Sequence, residues 1–581
     1  MSSSNLTDHP GETTPLTGSN AASSGSSYKV HVKPESSRRL VTVCILMTEL
    51  CERLTYYSIN ANLLIFLKNQ LKYDNVTATV ITYLFTGTCY LVPVIGGWVA
   101  DSLSGRFNAI FGSGLIYTVG SIILPAVAFD YQGASSNSQL GLSLGEMQGF
   151  FLTGLFLVAI GTGGIKANVG PFGAQQLEDL GSDAVQSFFN WFYWFINLGS
   201  AVSFSIVAYI QQEISFFWGY LIPAVSLILA NVIFFVAKNK YKAHDPGESV
   251  LATTVSIIKE GVQKKRHSPE VLDSYLDYAK YSNGGSYTTE AVEGVKMLGR
   301  VIPIFIAMIM YWTIYSQMQS TYLLQGTHMK LGFSDDDFKI PAASLNLFNV
   351  AIILILVPIM DRIVYPLLAR VKIYPSQLVR IGIGMVLATL SVVVAGFVEV
   401  ARRDELQVYG GIVQTISNVQ YNASSISIFW QVPQFTLIGA SEVFASISGL
   451  EFAYSQAPAV LQGLIMGMFL LTNGLGNYLG SALIAIVNAA TVDDPWYPND
   501  INQGHLEYFF WLLAGLMVLN TLVFVVLAWR YKPADTEMPT FGDYQKKYDL
   551  LPGDDYEPVK HNFQEEADLH HSKHATHSTD V

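Results

Sequence analysis

Cysteine is scarce in this chain of 581 residues, and the few cysteines exclude several kinds of site. Cys44, Cys51 and Cys89 all lie in long apolar segments. Cys44 and Cys51 are separated by about 10 Å along a helix axis, which is beyond the reach of a disulfide bond. We therefore expect buried, unpaired thiols with no redox or metal-binding role.

Charge is also scarce, because charged residues make up 13% of the chain whereas hydrophobic residues make up 50%. The apolar residues come in long runs rather than at amphipathic spacing, which indicates a membrane protein with many spans. Much of the net charge of −12 comes from the tail after Arg530, and no nucleic acid binding is expected. Residues 1–40 contain no basic stretch leading into an apolar core, so we expect no cleavable signal peptide.

The sequence also lacks the motifs of intramembrane enzymes. It has no paired-aspartate motif, no HExxH and no glycine-flanked serine with a partner histidine. We therefore expect neither an enzyme nor a bound cofactor.

Windows of about 20 apolar residues predict twelve membrane-spanning helices. The predicted spans lie near residues 41–67, 78–101, 107–129, 148–166, 187–211, 215–237, 298–323, 342–364, 376–400, 429–455, 460–487 and 506–530. We therefore predict an all-α membrane protein with two six-helix halves. The predicted organisation is a disordered cytosolic arm 1–40, the first half 41–237, a cytosolic loop 238–297, the second half 298–530 and a disordered acidic tail 531–581.

The distribution of lysine and arginine predicts the orientation of the chain. These residues cluster in the N-terminal arm, in the central loop and after the eighth and twelfth spans, so both termini are expected in the cytosol. Sequons at Asn75 and Asn422 fall in the first and ninth connections, on the opposite side, where glycosylation can occur.

Three charged residues, Glu49, Glu52 and Arg53, lie inside the first predicted span. A charge in hydrocarbon costs several kcal/mol unless it is paired or faces water, which favours a solute or ion pathway. Glu49, Arg53 and Tyr56 share one helix face, and the two carboxylates exceed the one guanidinium. A structural ion pair that locks helices together is the alternative interpretation.

Two further charged residues lie in later spans. Lys166 ends the glycine-rich segment 161–166 of span four, where glycines let helices approach closely. The alternative is a lysine that extends to the cytosolic surface. Glu442 lies near mid-membrane in span ten and is expected to be paired or protonated.

The loop between spans two and three has the pattern G-x-x-x-D-x-x-x-G-R. Its key residues are Gly97, Asp101, Gly105 and Arg106. Asp101 can pair with Arg106 in a latch that breaks when the halves separate, although an ordinary charged turn has the same composition. The pattern resembles the loop signature of the major facilitator superfamily, which implies that fold.

Longer motifs resemble the proton-coupled oligopeptide transporter family. Residues 49–57, ELCERLTYY, resemble its ExxER motif, while 161–174 with 188–197 resemble its signature in spans four and five. Residues 441–452 resemble its tenth span, and the match covers about residues 40 to 530 in order. Residues 311–319 and 276–285 resemble its peptide/histidine branch.

The resemblance implies a site and an activity. Family members are proton-coupled symporters of di- and tripeptides, and this branch also takes free L-histidine towards the cytosol. The implied roles are substrate carboxylate binding by Arg53 and Lys166, amino-group binding by Glu442, Asn197 and Asn346, side-chain pockets lined by Tyr56, Tyr57, Tyr90 and Trp312, and proton coupling by Glu49, Glu52 and Glu442.

Three positions depart from the family pattern. Asn60 stands where many members have a second arginine, and Ser316 where many have an acidic residue. Tyr83 aligns with a histidine of cell-surface peptide transporters. These differences shift the expected proton coupling onto the glutamates.

Short signals near the C-terminus concern partners and location. Residues 548–551 and 556–559 fit tyrosine-based signals for sorting adaptors, and Thr579–Val581 fits a PDZ ligand. An endolysosomal membrane is therefore favoured, with the plasma membrane as the alternative. A solute-sensing scaffold that recruits a cytosolic signalling adaptor remains a second functional interpretation.

Overall fold

A computed structural model of the chain describes residues 35–130, 141–242, 250–267, 271–332, 339–373, 375–456 and 461–531. Twelve long helices, some with 3-10 or π-helical turns, form the body of the protein. They are α1 Glu35–Ala61, α2 Asn75–Ser104, α3 Arg106–Ala128, α4 Leu144–Leu180, α5 Ala184–Ile214, α6 Phe216–Val236, α7 Thr289–Thr327, α8 Ala342–Arg370, α9 Gln377–Tyr409, α10 Ile428–Ser455, α11 Gly463–Ala490 and α12 Leu506–Arg530.

Eleven of these helices, α2 to α12, are long and apolar enough to cross a membrane within the described ranges. The first helix has the length, at 27 residues, but its charged residues lower its hydropathy. The predicted spans all fall on these helices. The first predicted span is two helices, because α1 ends at Ala61 and a short helix Leu63–Asn69 follows.

The central polar segment contains more helix than the sequence predicted. A helix at Val250–Lys265 packs its buried residues Ile257 and Gly261 against the turn Tyr275–Ala279. The seventh helix begins at Thr289, where the Thr288 hydroxyl accepts a hydrogen bond from the Ala291 amide. Its first turns are amphipathic, and for that reason a hydropathy window places the span later.

A small sheet joins the seventh connection, which contains its first strand, to the ninth connection, which contains the other two; the sequence analysis did not predict this sheet. Its strands are β1 Met329–Lys330, β2 Ile412–Ile416 and β3 Val419–Ser427 in the order β1-β3-β2, with β2 antiparallel and β1 parallel to β3. Ser417 and Asn418 connect β2 to β3 with φ of 50° and 65°, as a tight hairpin requires. We call the bundle end with this hairpin the hairpin end and the opposite end, with residues 238–242, 250–267 and 271–287, the loop end.

Glycines set how closely the helices of the first half approach one another. A Cβ atom on Gly96 of α2 would lie 2.8 Å from the Cα atom of Gly164 in α4. A Cβ atom on Gly161 would lie 2.4 Å from the Cβ atom of Tyr117 in α3. The glycine-rich segment thus allows α4 to pack directly against α2 and α3, as expected for small residues at membrane helix contacts.

The second half contains a fully buried ion pair near the hairpin end. Arg402 bonds Glu399 through Nη2 to Oε1 at 2.6 Å and through Nε to Oε2 at 3.0 Å, and both side chains are fully shielded from solvent. Gln325 of α7 donates to Glu399 at 2.9 Å, and Arg402 donates to Asn502 at 2.5 Å. The pair therefore connects α9 with α7 and with the chain before α12.

We expect Arg402→Leu to lower the free energy of unfolding by about 3–5 kcal/mol, because Glu399 would remain buried without its countercharge. Thermal unfolding of the detergent-solubilised protein measures this loss. The double variant Glu399→Leu/Arg402→Leu should regain much of it, since no charge then stays buried. An unchanged unfolding temperature for the single variant would contradict the prediction.

Candidate functional site

The first helix carries a buried cluster of one cation and two carboxylates. Arg53 Nε lies 2.7 Å from Glu49 Oε1 and 2.7 Å from Glu52 Oε2. The three side chains are buried, with relative exposures of 7% for Arg53, 1% for Glu49 and none for Glu52. The cluster has a formal charge of −1, so it favours a further cation or a proton nearby.

Lys166 of α4 is that further cation. Its Nζ atom lies 3.8 Å from the ring centre of Tyr56 and 4.0 Å from that of Tyr90. The ammonium is buried and has no hydrogen-bond acceptor in the described part of the chain. It therefore does not extend to the membrane surface, and the two aromatic faces hold it by cation–π contact.

Glu442 of α10 is the carboxylate of the second half. It directly precedes a π-helical turn at Val443–Ile447, a local widening that is frequent at functional sites. The carboxylate interacts with Tyr315 of α7 and Asn349 of α8, and its Oε2 atom has no hydrogen-bond partner among the described residues. One oxygen is thus available to another donor.

Two tyrosines of the first half connect these charges. Tyr57 and Tyr90 each interact electrostatically with both Arg53 and Glu442. Tyr57 also packs edge-to-face against Tyr56, with ring centres 5.3 Å apart. The cations of the first half and the carboxylate of the second half therefore face a common aromatic space.

The remaining predicted residues lie around this space with different partners. Asn197 of α5 donates to the Tyr193 carbonyl at 2.8 Å, and Asn346 of α8 donates to the Ala343 carbonyl at 2.9 Å. Both amides thus bond to their own helices. Trp312 of α7 packs against Tyr315 at 5.3 Å between ring centres.

Sequence reasoning missed the partners of Glu442. Tyr315 lies three residues after Trp312, and Tyr193 lies in the aromatic segment of α5. Tyr193 interacts electrostatically with Glu442, although 43% of its surface is exposed. Helical spacing from Trp312 could have identified Tyr315, whereas Tyr193 meets Glu442 only through the packing of the two halves.

The positions that depart from the family pattern join the two halves. Asn60 donates to Gln319, and Tyr83 bonds Ser320 at 2.6 Å. Ser320 breaks the helical geometry of α7, with φ of −133° and ψ of −93°. Asn60 and Tyr83 stand where the family pattern has an arginine and a histidine. In this chain both side chains are neutral, and they contact α7 next to its break.

The hairpin end of the bundle is closed by hydrogen bonds between the halves. Gln212 at the end of α5 accepts from the Ser417 amide at 3.2 Å and from the Ala342 amide at 3.2 Å. Tyr421 of β3 donates to Asn69 at 2.5 Å. These hydrogen bonds hold the two halves together at the hairpin end.

The loop between α2 and α3 contains an ion pair. Arg106 Nε lies 3.6 Å from Asp101 Oδ1, and both residues belong to the first half. Gly105 has φ of 74°, which explains the glycine, and Gly97 lies opposite Ala167 of α4. The pair expected from the sequence is therefore present within the first half, and its opening when the halves separate stays a prediction.

The two sequons differ in accessibility. Asn75 is 1% exposed, and its amide donates to the carbonyls of Pro498 and Asn499 at 2.6 Å and 3.0 Å. A glycan on Asn75 would have to break these contacts, so the structure does not favour that site. Asn422 is exposed on β3. The sorting and PDZ-like signals and the arm 1–34 lie outside the described residues.

Two groups of six helices form a membrane protein fold of the major facilitator type. The fold matches the crystal structure of an auto-inhibited POT family peptide transporter, with TM-score 0.68, 24% identity and coverage of 87% of this chain and all of that chain. It also matches the POT family transporter PepTSo, with TM-score 0.69, 24% identity and coverage of 85% and 98%.

The chain belongs to the POT family, whose sequence model, PTR2, matches residues 107–503. It is 34% identical to Solute carrier family 15 member 3 of Mus musculus, over 86% of this chain and 93% of that protein. It is also 34% identical to Protein NRT1/ PTR FAMILY 8.2 of Arabidopsis thaliana, over 86% and 95%. The predicted family is confirmed, and the protein is a transporter rather than an enzyme.

Proposed function

We propose that the protein is a proton-coupled symporter that moves di- and tripeptides and free L-histidine towards the cytosol. The observation that carries the proposal is the Lys166 ammonium, which is buried without a hydrogen-bond acceptor in the described part of the chain. A substrate carboxylate would supply that acceptor. Glu442, on the other half, has one carboxylate oxygen without a donor in the described part of the chain and would take the substrate ammonium.

Formal charge explains why a proton would accompany the substrate. Glu49, Glu52 and Glu442 carry three negative charges, and Arg53 and Lys166 carry two positive ones. A zwitterionic peptide leaves the balance at −1, whereas a zwitterion with one proton makes the site neutral. Since exposing net charge to the membrane interior is costly, the loaded and protonated site is the form that changes access most readily.

Coupling would then proceed by exchange of partners. Arg53 is held by two carboxylates, so protonation of Glu49 or Glu52 weakens its attachment and releases it towards the substrate carboxylate. Substrate bound between Lys166 and Glu442 would draw the two halves together, and the hydrogen bonds at the hairpin end would exchange with contacts at the loop end.

The proposed orientation follows the positive-inside rule. Positive residues of the central segment favour a loop end in the cytosol and a hairpin end that faces a lumen or the exterior. We propose an endolysosomal membrane, whose acidic lumen would supply the protons, and Asn422 as the glycosylated sequon.

A competition assay in proteoliposomes tests the substrate range. Uptake of labelled histidine at an external pH of about 5 and about 7 is measured with unlabelled dipeptide, tripeptide or free amino acid in excess. We expect dipeptides and histidine to compete for uptake that is faster at the acidic pH. Uptake that no peptide inhibits would contradict the shared site.

A further inference from the structure

Three buried oxygen atoms near Arg53 have no hydrogen-bond partner in the described part of the chain. They are the Oε1 atom of Glu52, whose Oε2 atom pairs with Arg53, the Tyr117 hydroxyl of α3 and the Thr162 hydroxyl of α4. Tyr117, Thr162 and Glu52 have no exposed surface. Buried polar groups of this kind are rare in folded proteins, and three at one place require an explanation.

The packing of α3 against α4 brings these groups together. Gly161 has no room for a Cβ atom, which would lie 2.4 Å from the Tyr117 Cβ atom, so the tyrosine backbone rests on the glycine. Thr162 follows directly, and its hydroxyl faces that of Tyr117, which in turn interacts with the charge of Glu52. Both hydroxyls therefore belong to the α3–α4 contact, and Tyr117 is the one that interacts with Glu52.

The other charged and titratable groups around Glu52 come from three helices. Arg53 forms the ion pair at 2.7 Å, Glu49 repels Glu52 from the same helix, and Tyr57 of that helix also interacts with it. Lys166 attracts it from α4, and Cys89 faces it from α2. If Arg53 turns to a substrate carboxylate, Tyr117 is the uncharged donor that remains beside Glu52.

We propose that Tyr117 is a positioning residue for Glu52, whose carboxylate it holds by a hydrogen bond when Arg53 binds substrate. Thr162 orients the Tyr117 hydroxyl in that state by donating a hydrogen bond to its oxygen. A donor that stays on Glu52 stabilises its charged form, so it limits the pH range in which Glu52 keeps its proton. This inference rests on the proposed proton-coupled uptake and identifies a residue that controls its pH dependence.

The pH profile of uptake into proteoliposomes tests the inference with Tyr117→Phe, which keeps the ring and removes the hydroxyl. Without this hydrogen bond the charged form of Glu52 is less stable, so the alkaline limb of the profile should shift to higher pH by about one unit. Thr162→Val should shift the alkaline limb in the same direction by a smaller amount. This variant replaces Tyr117→Phe in the test if Tyr117→Phe does not fold.

Tyr220→Phe is the matched control. Tyr220 of α6 is equally buried, with 1% exposure, and its hydroxyl also has no partner within the described ranges, but no charged residue of the site interacts with it. Its pH profile should match that of the wild type. A wild-type profile for both Tyr117→Phe and Thr162→Val would overturn the inference alone, whereas wild-type uptake that does not depend on pH would overturn the proposed function.

Discussion

Glu442→Gln is expected to reduce accumulation driven by a pH gradient to simple equilibration, while exchange of substrate across the membrane continues. Glutamine keeps the size of the side chain and can still bond Tyr315 and Asn349, but it cannot gain or lose a proton. Proteoliposomes with an imposed gradient measure accumulation, and preloaded proteoliposomes measure exchange. We expect the internal-to-external ratio to fall to about one.

Glu451→Gln provides the matched control on the same helix. Glu451 lies near the loop end, where Arg380 Nη1 lies 3.0 Å from its Oε2 atom. Its side chain is 37% exposed and pairs with Arg380 away from the aromatic space, so gradient-driven accumulation should stay close to the wild-type value. Full accumulation by Glu442→Gln would rule out Glu442 as a proton-coupling residue.

Arg53→Lys should raise the KM for dipeptide uptake by about 10- to 100-fold, the effect of losing a charge-assisted hydrogen bond of about 1.5–3 kcal/mol. Lysine keeps the charge but lacks the planar fork with which arginine can hold a carboxylate in two places. The concentration dependence of initial uptake rates gives KM and the maximal rate separately.

The conservative change Arg380→Lys serves as the control for Arg53→Lys. Arg380 belongs to α9 and pairs with Glu451 at the loop end, away from Lys166 and Glu442. Its KM should change by less than about twofold. An unchanged KM for Arg53→Lys would assign Arg53 to a structural ion pair, which is the alternative that the sequence left open.

The helices were largely predictable, because a bilayer imposes a minimum length of apolar residues that a hydropathy window detects. The charged residues of the site were predictable for the same reason, since Glu49, Arg53 and Glu442 interrupt apolar runs. Their partners were not. Whether Arg53 pairs within its own helix, and whether Glu442 meets Tyr315, depends on rotamers and helix packing that spacing alone does not determine.

Structure that departs from long apolar runs was harder to predict. Strands β2 and β3 are short, and their tight connection at Ser417 and Asn418 contains no glycine, the residue that usually indicates such a turn in a sequence. The break of α7 at Ser320 has no proline. The burial of Asn75 arises from a contact with Asn499, which lies far away in sequence and is brought close only by the closed hairpin end.

The most direct test of proton-coupled uptake is the accumulation of a labelled dipeptide by wild-type proteoliposomes with an acidic exterior, with and without a protonophore. We predict accumulation well above the external concentration, with collapse to equal concentrations when the protonophore dissipates the gradient. Equilibration without accumulation, unchanged by the protonophore, would contradict proton coupling and leave the buried charges of α1, α4 and α10 without the role proposed for them.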